Sequence, residues 1–178
     1  MKRDDLAVQI YNSSHITGEF LLRSGKKSNE YFDKYRFEAR PEILKYIAKQ
    51  MVHLLPDNFD YLAGLEMGGI PIATALSIQT GKPIVFVRKQ AKEYGTCQFV
   101  EGADIYGKKL VIVEDVVTSG GQIVISTNDL RNAGAIIDTA ICVIDREAGG
   151  VELLDKSKLK LHSLFTMSEL KAYGNRAQ

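Results

Sequence analysis

Apolar residues fall along this chain in two rhythms that take turns. After Pro41, which can open a helix at its first turn, Ile43, Leu44, Ile47, Met51, Leu54 and Leu55 recur near the 3.6-residue period until Pro56. That spacing predicts a helix with one buried face. Tyr61–Leu65 follows as a short apolar strand, Gly68-Gly69 as a turn, and residues 71–79 as a helix stopped by Gly81. Residues 83–87 and 109–113, the latter apolar throughout after Lys109, are too uniform for a sheet with one wet face, and both predict central parallel strands. Residues 123–132 predict a helix, Gly134 its stop, and residues 136–144 a fourth strand. The alternation is that of an α/β fold with an open, mainly parallel sheet flanked by helices. Ligands in such sheets collect beyond the carboxyl ends of the strands.

The beginning of the chain departs from this rhythm. A short helix over residues 4–12 precedes a strand over 18–23, a turn over 24–27 and a strand over 31–33. These make a small N-terminal hood, formed largely by residues 1–40, on one domain spanning 1–178. No internal repeat or Pro/Ser-rich linker divides the chain, and 178 residues suffice to bury a core without disulfides.

Composition narrows the classes further. A hydrophobic fraction of 45% and a charged fraction of 25% are ordinary for soluble globular proteins. The formal net charge of +1 gives no global drive towards nucleic acid or membranes, so a charged ligand needs a local patch. Nothing approaches the roughly 20 apolar residues of a membrane helix, and Met1-Lys2-Arg3-Asp4-Asp5 does not open a signal peptide, so a cytoplasmic protein is expected. Cys97 and Cys142 form no CxxC pair, and Cys142 in the apolar run 140–144 is expected to be a buried thiol. His15, His53 and His162 lack the spacing of zinc ligands.

The chemistry concentrates in Val111-Ile112-Val113-Glu114-Asp115-Val116-Val117-Thr118-Ser119-Gly120-Gly121-Gln122. Two carboxylates stand where a buried strand ends, followed by hydroxyls and glycines where a helix begins. A helix N-terminus offers unpaired N–H groups and the positive end of its dipole, and Gly120 and Gly121 let the backbone approach a phosphate. Adjacent acids suit the neighbouring hydroxyls of a ribose, which can donate to Glu114 and Asp115. Capping of the helix by Asp115 or Thr118 is the alternative reading, but it accounts for one side chain and leaves the second acid unexplained. Neither a Gly-x-x-x-x-Gly-Lys-Ser/Thr loop nor a Gly-x-Gly-x-x-Gly fingerprint is present.

This twelve-residue stretch resembles the phosphoribosyl-pyrophosphate motif of the type I phosphoribosyltransferases. From Gly18 to Gly150 the chain resembles the orotate branch of that family. Gly18-Glu19-Phe20-Leu21-Leu22-Arg23-Ser24-Gly25-Lys26-Lys27-Ser28 is similar to its N-terminal signature, and Gly64-Leu65-Glu66-Met67-Gly68-Gly69-Ile70-Pro71 to its pyrophosphate loop. Arg88-Lys89-Gln90-Ala91-Lys92 carries the spacing of its basic segment, and Cys142-Val143-Ile144-Asp145-Arg146 places an arginine at a strand end. The resemblance implies that Arg88, Lys89, Lys92, Tyr94, Glu114, Asp115, Val116, Val117, Thr118, Ser119, Gly120, Gly121 and Gln122 hold phosphoribosyl pyrophosphate. It makes Lys92 and Asp115 catalytic, and gives orotate to Tyr31, Phe32, Thr118 and Arg146. A guanidinium fork suits the carboxylate of orotate, and an aromatic pair suits its ring.

Further implications are a Mg²⁺ held through the substrate with no separate metal site, and formation of orotidine 5′-monophosphate with release of pyrophosphate. A lid over the glycine-punctuated stretch 92–107 and a homodimer with shared active sites are implied as well. Two departures stand out. Met67-Gly68 replaces a Tyr-Lys pair found in one branch, and Tyr94 stands where many relatives have His, although a phenol with an ordinary pKa of about 10 carries protons poorly at neutral pH. The sugar-phosphate motif does not specify the base. A transferase for another base and a non-catalytic phosphoribosyl-pyrophosphate sensor stay open, with the Lys92 loop favouring an enzyme.

Overall fold

The computed structural model describes residues 1–21, 25, 27–90 and 99–176. Helix α1 (Arg3–Ser14) leads into an antiparallel ribbon of β1 (His15–Leu21) and β2 (Lys27–Phe32). A four-residue helix α2 (Tyr35–Glu38) and α3 (Pro41–Met51) follow, with Pro41 at the start of α3 and Arg40 held in the extended backbone that a following proline favours.

The remaining strands form one sheet in the order β5-β4-β3-β6-β7-β8. Strands β3 (Tyr61–Leu65), β4 (Ile84–Val87), β6 (Lys109–Val117), β7 (Ile136–Asp145) and β8 (Lys160–Thr166) run parallel; β5 (Val100–Glu101) is antiparallel to β4. Helix α4 (Gly69–Thr80) follows β3 and ends at Gly81 in the left-handed conformation, as expected of a glycine stop. Helices α5 (Gly121–Asn132), α6 (Gly150–Lys156) and α7 (Met167–Arg176) complete the chain.

Alternation along β6 builds two cores. Val111 and Val113 pack with α1, α3 and α4 residues such as Ile10, Ile47 and Ile72, whereas Leu110 and Ile112 pack with α5 and α6 residues such as Ile123, Leu130 and Leu154. The sheet is therefore covered on both faces, which is why its central strands are unbroken apolar runs. From β3 the chain moves outward to β4 and β5, then returns to the other side of β3 at β6 and proceeds outward again to β8. The strand order thus reverses between β3 and β6, where open α/β sheets form their ligand crevice.

Several expectations are corrected. The sheet has six strands where the pattern predicts four, because β5 is two residues long and β8 mixes Lys160, His162 and Ser163 into an edge strand. Strand β4 is not central: only the short β5 lies beyond it, and Phe86 is 37% exposed. The strand predicted to end at Val113 continues to Val117, so both acids lie within β6. Among the described residues no helix is long and apolar enough to cross a membrane.

Arg131, in the last turn of α5, ties this half of the sheet together. Its guanidinium donates to the carbonyls of Ile137 (2.6 Å), Ser157 (2.8 Å) and Lys158 (3.0 Å), joining α5, β7 and the turn before β8. Arg131→Met removes charged donors from part-buried carbonyls and is expected to cost about 2–3 kcal/mol, read as a lower urea midpoint with an unchanged m-value.

Candidate active site

Pairing between β3 and β6 stops at Gly64 opposite Val113, while pairing between β6 and β7 runs on to Val117 opposite Asp145. Residues 114–117 therefore emerge beyond the end of β3, beside the β3–α4 turn. A crevice of about 480 Å³ opens there. Of the predicted residues, Glu114, Val116, Val117, Thr118, Ser119, Gly120, Gly121, Gln122 and Lys89 line it, together with Lys34, Glu66 and Met67. Thr118 and Ser119 are exposed, and no side chain caps α5. The capping role open to Asp115 or Thr118 is thus not taken up, which leaves the helix's first N–H groups without a side-chain cap beside the crevice.

The two motif glycines have different structural needs. Gly120 has φ +74°, and a Cβ there would overlap the Leu154 side chain, so both backbone and packing require glycine. A Cβ at Gly121 would meet nothing nearer than Ser119 Oγ at 4.0 Å. Among the described residues that space is free, on the crevice wall. Across the crevice, a Cβ at Gly68 would overlap Asp115 Oδ2 and one at Gly69 the Val113 carbonyl, so these glycines let the β3–α4 turn lie directly on β6. The Glu66–Met67 peptide is cis.

The acid pair is not symmetrical. Glu114 is half-buried and lines the crevice, whereas Asp115 is fully buried behind it. Asp115 Oδ2 lies 2.6 Å from Lys34 Nζ, and its Oδ1 accepts from the Val116 N–H. Glu38 of α2 is buried beside it. Burial raises the Glu38 carboxyl, with Asp115 adding to the effect, to about 9. Burial and the Asp115 charge likewise push Glu114 well above the usual carboxylate range. Burial alone would raise Asp115, but hydrogen bonds from Glu114, Glu38 and Lys34 outweigh it and hold Asp115 below its ordinary value. Burial pulls Lys34 down, and Asp115 and Glu114 more than compensate, raising it. Asp115 is thus favoured as the anion of the cluster, beside a lysine and two acids whose carboxyls burial raises.

A second cavity, of about 240 Å³, brings together Tyr31, Phe32 and Arg146 with Tyr11, His15, Ser28, Glu30, Met167 and Lys171. The Arg146 N–H donates to the Val117 carbonyl at 2.8 Å, so this cavity adjoins the end of the crevice strand. Glu30 binds Lys171 at 2.6 Å and His15 at 3.0 Å, and those contacts hold its carboxyl below the usual range. Among the described residues Arg146 has no carboxylate partner. The acids beside it are engaged elsewhere: Asp145 Oδ1 accepts the Glu147 N–H, and Glu147 accepts from the N–H and hydroxyl of Ser168.

Thr118, expected at both ligands, lines the crevice and not this cavity. Arg88 lines neither; its N–H donates to the Phe99 carbonyl at 2.8 Å. Lys92 and Tyr94 lie outside the described residues. Lys34, Glu38 and Lys171 were not singled out by the pattern, whereas Glu66 lies in the segment similar to the pyrophosphate loop. A larger hollow of about 580 Å³, walled by Val100, Gly102, Ile105 and Ala133, contains none of the predicted residues.

An uncapped helix N-terminus facing an acid-bearing strand, at the switch point of a parallel sheet, defines a sugar-phosphate-binding α/β protein. Residues 36–164 match the phosphoribosyl transferase domain, and the chain belongs to the phosphoribosyltransferase family. Within it, the chain is 48% identical over 167 residues to the orotate phosphoribosyltransferase of a Nocardioides species, covering 94% of this chain and 93% of that protein. The structure of Mycobacterium tuberculosis H37Rv orotate phosphoribosyltransferase in complex with Fe(III) dicitrate is similar at a TM-score of 0.85 and 27% identity, covering 94% and 98% of the two chains. The same enzyme in complex with phosphoribosyl pyrophosphate gives a TM-score of 0.81 at 25% identity, covering 95% and 98%.

The glycine asymmetry yields a paired test. Gly121→Ala is expected to keep the wild-type melting temperature while weakening phosphoribosyl-pyrophosphate binding on the order of 10-fold, the loss of a charged hydrogen bond. Gly120→Ala is expected to lose stability first, by at least ~1–2 kcal/mol from its left-handed backbone. Calorimetric melting and titration of the two variants separate the effects.

Proposed function

We propose that the chain transfers the phosphoribosyl group of phosphoribosyl pyrophosphate to orotate, giving orotidine 5′-monophosphate and pyrophosphate in the cytoplasm. The observation that carries this reading is the pairing of the phosphate-cradle crevice with a cavity holding an aromatic pair and an arginine that has no carboxylate partner among the described residues, joined through Val117 and Arg146. Orotate is flat and carries a carboxylate. Tyr31 and Phe32 offer it ring faces, and Arg146 a guanidinium fork. Lys171 adds a second cation to the same cavity.

In this reading the 5′-phosphate rests on the N-terminus of α5, with Val116, Val117, Gly120, Gly121 and Gln122 shaping the cradle and Thr118 and Ser119 donating hydroxyls. Thr118, between the two ligands, also serves the base. Glu114 meets the ribose hydroxyls and Asp115 supports it from behind. The pyrophosphate lies towards the β3–α4 turn, with Lys89 beside it and Arg88 behind the strand end. The crevice's donors, Lys34, Lys89, the two hydroxyls and the helix N–H groups, suit phosphate oxygens rather than a cation. Mg²⁺ would be held through the substrate's oxygens and would supply charge neutralisation for the pyrophosphate.

The chain's own work is to align the base nitrogen with the sugar carbon and to stabilise separating charge in a dry site. Lys92 supplies a cation from the lid, and Tyr94 a hydrogen bond. The β1–β2 ribbon acts as the hood of a single domain over residues 1–178, and two copies share their sites. The relatives that bear this activity in their names, and the one bound to phosphoribosyl pyrophosphate, support the reading.

Pyrophosphate release in the presence of Mg²⁺ is expected with orotate and not with uracil, hypoxanthine or adenine. Preference for another base would remove the orotate assignment, and tight substrate binding without turnover would indicate a sensor. Arg146→Ala is expected to raise KM for orotate on the order of 10- to 100-fold with little change in KM for phosphoribosyl pyrophosphate. Lys92→Ala is expected to lower kcat on the order of 10²- to 10³-fold with the fold intact, the effect of losing one preorganised charge donor. Steady-state kinetics on the two variants checks both.

A further inference from the structure

Glu38 takes no part in the chemistry above, yet its placement is costly. It is 7% exposed, its Oε1 meets no donor among the described residues, and the group its side chain engages is the carboxyl of Asp115. Two ionised carboxylates in contact away from water repel, and such a pair persists only when one proton lies between them. Lys34 Nζ, 2.6 Å from Asp115 Oδ2, and the Val116 N–H both favour the charge on Asp115. Those two contacts disfavour a proton on Asp115 and leave Glu38 as the place for it.

We propose that Glu38 is a positioning residue: as a neutral acid it donates to Asp115 and, with Lys34, clamps that carboxylate beneath Gly68, fixing Glu114 and the β3–α4 turn for the sugar pyrophosphate. This rests on the crevice being the phosphoribosyl site. An acid held near 9 by burial and by Asp115 keeps its proton throughout the neutral range. Asp33 acts in the same sense and Lys34 against it, while Glu114 interacts with both Asp115 and Glu38. Helices α1 and α3, packed against α2, bring apolar Leu6, Ile10, Ile43 and Ile47 to the core that holds Phe37.

The folded-state value lies above the usual 4.5, so Glu38's contribution to stability is full below about 4.5 and is lost as pH rises through about 9. Glu38→Gln, which keeps an N–H donor and cannot ionise, is expected to gain stability relative to wild type across that window. It should bind phosphoribosyl pyrophosphate within about threefold of wild type at neutral pH, whereas Glu38→Ala weakens binding on the order of tenfold. Above about 9 the wild type should lose affinity by ionisation of Glu38, and Glu38→Gln should lack that limb.

Infrared spectroscopy reads the proton directly. A protonated-carboxyl C=O component present in wild type at neutral pH, titrating near 9 and missing from Glu38→Gln, is the expected result, with any Glu114 component common to both proteins. An identical band in both proteins, or a Glu38→Gln variant as impaired as Glu38→Ala, overturns the proposal. If the wild type binds no phosphoribosyl pyrophosphate, the functional reading fails, and the infrared titration still decides where the proton sits.

Discussion

Everything at the site depends on the β3–α4 turn lying in backbone contact with the end of β6. Gly68 and Gly69 allow it, because a side chain at either position would occupy the space of Asp115 or of the Val113 carbonyl. That contact removes Asp115 from water. A buried carboxylate needs compensation, and Lys34 with the Val116 N–H supplies it. The anchoring of one acid by a lysine from a different part of the chain is thus a consequence of how closely two backbone segments approach.

The same contact divides the acid pair. Were both acids facing solvent, their repulsion would be screened and each would titrate near its ordinary value. Enclosure places the charge on Asp115 and leaves Glu114, on the crevice wall, the acid that a ligand meets. On the opposite wall the chain spends no side chain on capping α5, so the helix dipole and N–H groups remain available. An acid raised by burial on one side and an uncapped helix on the other can receive an anion that also carries hydroxyls.

The local parts of this arrangement were legible in the sequence. Strand β6, the hydroxyl-glycine loop and α5 are contiguous, so residues 111–122 specify strand, cradle and helix together. Lys34 and Glu38 were not legible, because Tyr35-Arg36-Phe37-Glu38 is too short for any period and their partner, Asp115, is distant in sequence. Strand β8 was hidden by its edge position, which permits polar residues. Helix α7 did carry a signal: Thr166 and Glu169 form a capping box, with the Thr166 N–H donating to Glu169 at 2.8 Å and the Glu169 N–H to Thr166 at 3.2 Å. Reading that box would have placed Lys171 on a helix, though not in the cavity, since only the β7–β8 pairing brings α7 beside Arg146.

The arginine shows how a strand-end cation becomes available for a ligand. Flanked by Asp145 and Glu147, Arg146 is placed for a local ion pair, which in an exposed setting contributes little and would leave the guanidinium occupied. The backbone takes both acids first. Asp145 accepts the Glu147 N–H, which stabilises Glu147 in its left-handed conformation at φ 57°, and Glu147 in turn accepts from Ser168 in the first turn of α7. The tight turn after β7 and the start of α7 are thus held by the carboxylates that would have quenched the arginine. Because the Arg146 N–H is bonded to Val117, the register of β6 on β7 also sets how far the guanidinium stands from the phosphate cradle. One ladder of strand hydrogen bonds thus sets the spacing between the crevice and the cavity that holds Arg146.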